Sequence, residues 1–366
     1  MGGSKWVTLW KVQPDGTRVK VGKITRAQQK KILEAQERTK QLSQMKNLHK
    51  MRENQSSVEN RRKIVAETIS KTTNKKELQD AMESLGLGDK ASFIKEIKNF
   101  DSAKDIASAI ADMSEVFGTE YFSDATTQGQ FGKGTRGYIF PGEYTIHLNK
   151  KEFDERDVMM QECKLESDIG YAYKNQSPAS IVKHEYAHLL QNKLCDDLMN
   201  TDQFKNVRRQ QESAQRGIDA LTENYPKEWK KATTFLEKAI NARNIFDQIK
   251  YTNKAMEAMQ NVMKPVEHRV LFSNIRTVLQ SRQVIGKMIS TEATRKIGGI
   301  FNNIGYKSPT DVAKGLTGSN LAYARTNWSE AHAECVADYM TNGQNASPVS
   351  IAYVEAFAKA VGVKLK

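Results

Sequence analysis

The segment IVKHEYAHLL, residues 181–190, contains His184 and His188 four residues apart, with Glu185 directly after the first histidine. Positions i and i+4 lie on the same side of an α-helix, so both imidazoles can reach one metal ion at ~2.0–2.1 Å. A carboxylate beside the first ligand can take a proton from zinc-bound water, which is the H-E-x-x-H arrangement of metallopeptidases. The spacing therefore predicts a zinc centre. The alternative is a pair of exposed helix histidines beside a glutamate.

A third ligand is expected, because a catalytic zinc site uses three protein ligands and keeps one position open. The best source is YARTNWSEAHAECVADYM, residues 323–340, where Asn327 can cap a helix. Glu330, Glu334 and Asp338 then lie on one helix face at four-residue spacing. Carboxylates so placed repel each other by a few tenths of a kcal/mol per pair unless a cation lies among them. A charged face alone would be interpreted as solvated, but beside an H-E-x-x-H helix it predicts metal ligands.

The helix that carries the histidines is predicted from its own sequence. Ser177 is suited to the N-cap and Pro178 to the first turn. An apolar stripe follows, formed by Ile181, Val182, Leu189, Leu190, Leu194 and Leu198. Before the helix, a Gly-rich stretch alternates apolar and polar residues and predicts short strands at about 137–140 and 144–149, with PG between them. This order of elements predicts an α+β fold that is mostly helical, with a small sheet beside the H-E-x-x-H helix.

The rest of the chain is predicted to be helical apart from its start. Residues 6–24 alternate around PDG, which indicates a β-hairpin, and a basic stretch to about residue 76 indicates an exposed arm. Two or three short helices are expected up to Phe117, the last capped by Asp101 or Ser102. Residues 205–297 are predicted to be helical, with breaks near Pro226 and Pro265. A Gly-rich connector at 298–320 then leads to two final helices at about 328–340 and 348–360.

Charge suggests a second class of partner. The net charge is +13, and residues 18–76 alone hold 17 Lys/Arg against 5 Asp/Glu. Such a surplus permits binding to nucleic acid, although a solvated basic helix explains it equally well. No apolar run approaches the ~20 residues that span a bilayer, and the first residues lack a secretory pattern. Three isolated cysteines suit a reducing compartment, so we expect a cytoplasmic protein without a membrane partner.

The two motif blocks resemble the lethal-factor-like zincins, a gluzincin-type family. The blocks are His184-Glu185-x-x-His188 and Tyr323 followed by Glu330 and Glu334. The order of helix, Gly-rich turn, YTIHLNKKEF strand and H-E-x-x-H helix over about residues 95–200 is also similar to members encoded by phages and other mobile elements. The resemblance implies a zincin-like catalytic domain that binds one Zn2+.

The resemblance implies a role for each matching residue of the two motif blocks. His184, His188 and Glu330 would be the zinc ligands, and Glu185 the general base. Tyr323 would stabilise the oxyanion, and Glu334 would hold a ligand imidazole. A substrate peptide would lie along a sheet edge, for which the strand containing Tyr144, Ile146 and Leu148 is the candidate; a plain structural hairpin is the alternative.

The implied function is a zinc-dependent endopeptidase that acts on a peptide or protein. The interval of about 140 residues between His188 and Glu330 exceeds what the family core requires, so residues 201–297 are predicted to be an inserted helical unit. The predicted domains are then 1–76, a hairpin and basic arm; 77–200 with 298–366, the metallopeptidase domain; and the insertion. Two alternatives stay open: a virion-associated phage head protein with a non-catalytic zincin-like domain, and a protein whose residues 18–76 bind nucleic acid or a virion component.

Overall fold

A computed structural model describes residues 6–12, 18–25, 58–129, 131–132, 134–240, 245–316 and 323–365. The described part is mostly helical. Its helices are α1 Val58–Ser70, α2 Lys75–Ser84, α3 Phe93–Glu96, α4 Phe100–Phe117, α5 Lys150–Asp154, α6 Arg156–Asp168, α7 Pro178–Leu194, α8 Asp196–Met199, α9 Asp202–Thr222, α10 Pro226–Ile240, α11 Ile245–Gln260, α12 Pro265–Asn303, α13 Pro309–Gly315, α14 Trp328–Asn342 and α15 Pro348–Ala360. The α+β class with a mostly helical chain is therefore confirmed.

Two small sheets accompany the helices. The strands β1 Trp6–Val12 and β2 Arg18–Thr25 form the expected antiparallel hairpin. The second sheet contains β3 Asp124–Thr126, β4 Gly137–Tyr138 and β5 Thr145–Leu148 in the order β3-β5-β4. In it β5 is the central strand, parallel to β3 and antiparallel to β4.

Capping residues set the start of the two helices that matter most for the site. The Ser177 side chain accepts a hydrogen bond from the Ser180 backbone at the start of α7, and Pro178 is in the first turn, as predicted. Asn327 caps α14 by accepting from the Glu330 backbone, also as predicted. The prediction for α4 was wrong, because the cap is Asn99, which accepts from the Ser102 backbone.

The main hydrophobic core forms where α7, α14 and the three-stranded sheet meet. Ile146 and Leu148 of β5 are fully buried in it, as are Val182 and Leu189 of α7. Alternation along β5 places these two aliphatic side chains inward and His147 on the opposite face. The sheet and α14 thus hold α7 in place from different directions.

Helices α9 to α12 contain a second hydrophobic cluster, which includes Ile218, Ala232, Met259 and Leu271. They cover the predicted insertion, but α12 extends to Asn303 and its later residues pack in the main core. The predicted connector 298–320 is therefore wrong in part, since its first residues complete α12 and others form α13. The division into three domains stays a prediction.

The predicted N-terminal hairpin and basic arm, residues 1–76, can be compared with the structure only in part, because residues 26–57 lie outside the described residues. Helix α1, which was assigned to the basic arm, packs on the main core through Val65 and Ile69. Arg62 forms an ion pair with Asp112 of α4. Among the helices that the structure describes, none combines the length and apolarity that a membrane span requires.

Candidate metal centre

Three side chains from α7 and α14 converge on one point. His184 Nε2 lies 3.2 Å from His188 Nε2 and 3.2 Å from Glu330 Oε2, and His188 Nε2 lies 3.5 Å from the same oxygen. Ligands at ~2.0–2.1 Å from a tetrahedral zinc ion lie about 3.3 Å from one another. The three separations agree with this value, so the predicted group His184, His188 and Glu330 is confirmed as one that could hold a metal ion.

Charge balance within the group follows from its hydrogen bonds. Burial disfavours a charge on His184, but hydrogen bonds to Glu330 and Glu334 outweigh it and raise the pKa of His184 well above its ordinary value. Burial also opposes ionisation of Glu330, yet hydrogen bonds from His184 and His188 hold the pKa of Glu330 well below its ordinary range. Glu330 is thus held ionised and supplies a negative charge for a divalent cation.

Each imidazole is oriented by a partner on its other nitrogen. His184 Nδ1 lies 3.0 Å from Glu334 Oε1, the position predicted for Glu334. His188 Nδ1 lies 2.9 Å from Gln191 Nε2 and 3.2 Å from Ser329 Oγ. Glu334 and the Ser329 hydroxyl oxygen can accept the Nδ1 proton, which fixes each ring and leaves Nε2 for the metal, and the Gln191 amide donates a hydrogen bond of 2.6 Å to that hydroxyl oxygen. Gln191 and Ser329 were not predicted from the sequence, although Gln191 follows His188 by three residues on the same helix face and Ser329 directly precedes Glu330.

Glu185 is buried beside the ligands, at the wall of the cleft into which they open. Burial raises its pKa above the ordinary value, and the neighbouring imidazoles oppose that rise. Its side chain packs on the backbone of β4, because a Cβ at Gly137 would lie 2.8 Å from Glu185 Cγ. Gly137 is therefore a position where a side chain would displace the glutamate. The Gly-rich stretch was noticed in the sequence, but this contact was not.

We expect Gly137→Ala to destabilise the protein by about 1–3 kcal/mol, because the added methyl group overpacks against Glu185. Gly299→Ala is the matched control, since a Cβ at this exposed position of α12 meets no atom within 4 Å. There the better helix propensity of alanine predicts a gain of up to about 1 kcal/mol. Urea denaturation measures both changes, and equal midpoints for the two variants would contradict the close packing of Gly137 on Glu185.

Tyr323 lies at the rim of the centre, as predicted. Its ring centroid is 6.5 Å from that of His184 and 6.0 Å from that of Tyr171, and its side chain is half exposed. Partial burial raises the pKa of Tyr323, and neighbouring Tyr171 contributes to the rise. The hydroxyl therefore stays protonated and available as a donor at neutral pH.

The predicted substrate strand is wrong. Strand β5 cannot accept a further strand, because β3 and β4 occupy its two sides. Ile146 and Leu148 point into the core, and the Tyr144 hydroxyl contacts the Met199 sulfur at 3.8 Å. The edge strand beside the centre is β4. The described residues that line the cleft, which has a volume of about 1080 Å³, include both residues of β4 and none of these three.

Two polar residues of α14 have structural partners instead of a place in the centre. Asp338 accepts hydrogen bonds from the Ser347 backbone and the Ser350 hydroxyl, at 2.9 and 2.6 Å, and so joins α14 to the start of α15. His332 lies between the Ala187 carbonyl and the Tyr353 hydroxyl, each at 2.8 Å, and burial lowers its pKa to about 3. The sequence pattern of three acids on one face therefore contributes two residues to the centre.

Comparisons of the chain with protein-family models, with curated proteins and with solved structures found no match. The resemblance to lethal-factor-like zincins consequently stays a prediction. The functional argument depends on the geometry of the centre.

Proposed function

We propose that this protein is a zinc-dependent endopeptidase. The observation that supports the proposal best is the convergence of His184 Nε2, His188 Nε2 and Glu330 Oε2 at separations of 3.2 to 3.5 Å, on the wall of an open cleft. Two imidazoles and one carboxylate are the donor set of catalytic zinc in several metallopeptidases. The small exposed fraction of each ligand side chain, 15% to 25%, leaves the centre accessible from the cleft.

Zinc bound there would act as a Lewis acid, lowering the pKa of a water ligand and polarising a substrate carbonyl. The residues of the chain supply the remaining functions. Glu185 accepts a proton as general base from its buried position beside the ligands. Tyr323 donates a hydrogen bond to the carbonyl oxygen as negative charge develops. Glu334 holds His184 in the tautomer whose Nε2 carries a free lone pair.

Strand β4 is the proposed binding edge for substrate. It is one of the two edge strands of the three-stranded sheet and the one that lines the cleft, and its Gly137 contacts the general base. A peptide added alongside β4 would lie extended in the cleft, with main-chain hydrogen bonds to the sheet and side chains in neighbouring pockets.

The single experiment that tests the proposal is metal analysis of the purified chain followed by incubation with a mixture of peptides. We expect zinc to be bound by the wild type, and peptide cleavage to stop after chelation and resume when zinc is returned. A wild type that takes up no added zinc contradicts the proposal. Zinc binding without cleavage would instead favour the phage head protein with a non-catalytic domain.

Nucleic acid or a virion component as a partner of residues 18–76 also stays a proposal. In the described part of that segment, Arg61 and Arg62 form ion pairs with Glu115 and Asp112 of α4. These two arginines therefore serve the fold. Salt-dependent DNA binding that is lost when residues 26–57 are removed would support the arm as a binding site.

The partners of His188 Nδ1 lead to a prediction on zinc affinity. We expect the double variant Gln191→Leu/Ser329→Ala to bind zinc about 10–100-fold more weakly, because it leaves Nδ1 without a hydrogen-bond partner. Gln191→Leu alone should lose less, since the Ser329 hydroxyl oxygen remains within reach of Nδ1 as an acceptor. Competition with a fluorescent chelator measures the affinities. Wild-type affinity in the double variant would show that these two residues do not orient the ligand.

A further inference from the structure

The segment that joins β4 to β5, residues 139–144, is named here the β4–β5 turn. It reverses the chain at Pro141 and Gly142, where the Glu143 backbone donates a hydrogen bond of 2.9 Å to the Phe140 carbonyl. Gly142 has φ of +83°, a conformation that favours glycine. Because β4 is only two residues long, the position of this turn decides where the edge strand lies.

Two arginines from the helical insertion hold the turn. Arg282 of α12 forms an ion pair with Glu143, with Nε 2.6 Å from Oε1, and its Nη2 donates a hydrogen bond of 2.9 Å to Oε2. The same guanidinium lies 3.7 Å from the centre of the Phe140 ring, a cation–π contact. Arg208 of α9 donates a hydrogen bond of 2.7 Å to the Gly142 carbonyl. The ion pair is partly shielded from water, since the Arg282 and Glu143 side chains are 18% and 25% exposed, and the Arg208 hydrogen bond is also partly buried.

The turn also fits closely against α12 and α7. A Cβ at Gly142 would lie 2.6 Å from the side chain of Ile285, so the backbone approaches α12 as closely as glycine allows. On the other side, Asn192 of α7 donates a hydrogen bond of 3.0 Å to the Glu143 carbonyl. Glu143 therefore connects the helix that carries the metal ligands with the helix that carries Arg282.

We infer that the predicted helical insertion, α9 to α12, positions the substrate-binding edge of the cleft. Through Arg208 and Arg282 it fixes the β4–β5 turn, and the turn then fixes the edge strand β4 that receives substrate. The substrate part of this inference rests on the proposed function. The structural part does not, because the contacts between the insertion and the turn exist whatever the cleft binds. Arg208 and Arg282 are positioning residues, since they touch the turn and none of the three ligands.

The inference is tested with the full-length, zinc-supplied protein and the variants Arg282→Met and Glu143→Gln. Methionine keeps much of the length of the side chain and removes the guanidinium, while glutamine keeps the shape of Glu143 and removes its charge. Arg295→Met is the matched control, because Arg295 lies on the same helix, is exposed, and pairs with Glu292 three residues away. The first measurement is hydrogen–deuterium exchange of peptides covering residues 136–148 and 178–194.

We expect exchange in residues 136–148 to be about tenfold faster in Arg282→Met and raised in Glu143→Gln, with residues 178–194 unchanged and the control like the wild type. Unchanged exchange of residues 136–148 in both variants would overturn the inference. If Arg282→Met unfolds as a whole, the exchange of residues 136–148 in the milder variant Glu143→Gln tests the inference instead. These readings stand even when no peptidase activity is found, so failure of the proposed function is distinguished from failure of the inference.

The second measurement is steady-state hydrolysis of a peptide that the wild type cleaves. Because the arginine acts on the strand that binds substrate, we expect Arg282→Met to raise KM about tenfold and to change kcat less than about threefold. Zinc content should equal that of the wild type. Faster exchange combined with an unchanged KM would overturn the link to substrate.

Discussion

Replacement of Glu185 by glutamine is expected to lower kcat for peptide hydrolysis by about 10²–10⁴-fold while zinc remains bound. Glutamine has the shape of glutamate, so it fits the buried position against Gly137. It cannot accept a proton, which removes the function proposed for Glu185 and leaves the ligand set intact. The variant thus separates proton transfer from metal binding. The measurement is kcat on a cleaved peptide together with zinc content on the same sample.

The matched control is Glu152→Gln, a carboxylate of α5 that also lines the cleft. In the described part of the chain it makes no hydrogen bond or ion pair with the two histidines or with Glu330, and we expect its kcat within about twofold of the wild type. Loss of both zinc and activity in Glu185→Gln would indicate a damaged centre. Retention of activity with zinc bound would mean that another group accepts the proton.

The parts of the site that depend on local sequence could be predicted. Helix α7 is specified by its own cap and apolar stripe, and the i, i+4 spacing fixes the relation between His184 and His188 without any knowledge of the fold. Glu330 and Tyr323 came from a second local pattern and from a family resemblance. That the two blocks meet depends on the packing of α14 against α7, which no spacing in the sequence reveals.

The neighbours of a strand could not be predicted from its pattern. Alternation along β5 correctly indicated a strand with one buried face, but strands pair through their backbones, and the backbone carries no residue-specific signal. Its parallel partner β3 has only three residues, too few for a recognisable pattern. The substrate edge was therefore assigned to the central strand, and β4 was passed over.

The end of α12 was missed for a related reason. Two adjacent glycines, Gly298 and Gly299, suggested a connector, yet the helix continues through them to Asn303. A Cβ at Gly298 would lie 2.9 Å from the indole nitrogen of Trp328, so this glycine lets α12 approach the start of α14 closely. Here tertiary packing outweighs the low helix propensity of glycine.

The roles of Arg208 and Arg282 also depend on tertiary packing and could not be predicted from the sequence. Each is one of many basic residues in a polar helical region, and only the fold shows that both contact the β4–β5 turn. The helical region predicted to be an insertion therefore supports one wall of the cleft. Helices α9 and α12 carry the two arginines. Removing them is therefore expected to disturb the cleft more than removing α10 and α11.

Loss of a ligand should have the second large effect. We expect Glu330→Ala to weaken zinc binding by more than about 100-fold, since even an outer partner of a ligand contributes 10–100-fold. Zinc present at 1,000 times its dissociation constant adds about 4 kcal/mol to the free energy of unfolding of the wild type. Because the variant binds zinc much more weakly, its zinc-dependent rise in Tm should largely disappear. Thermal unfolding with and without zinc, together with chelator competition, measures both quantities.

Glu355→Ala serves as the control for Glu330→Ala, because Glu355 is an exposed carboxylate on α15 and its removal should leave the zinc-dependent rise in Tm unchanged. Without zinc, Glu330→Ala also leaves the His184 and His188 imidazoles without the carboxylate that they share, and so its own stability must be measured in the chelated state. The difference between the zinc-bound and chelated states, rather than either value alone, reports the contribution of the ligand. An equal zinc-dependent rise in wild type and Glu330→Ala would exclude Glu330 as the third ligand. Zinc would then be bound by a different set of residues, and the peptidase proposal, which depends on this ligand set, would have to be abandoned.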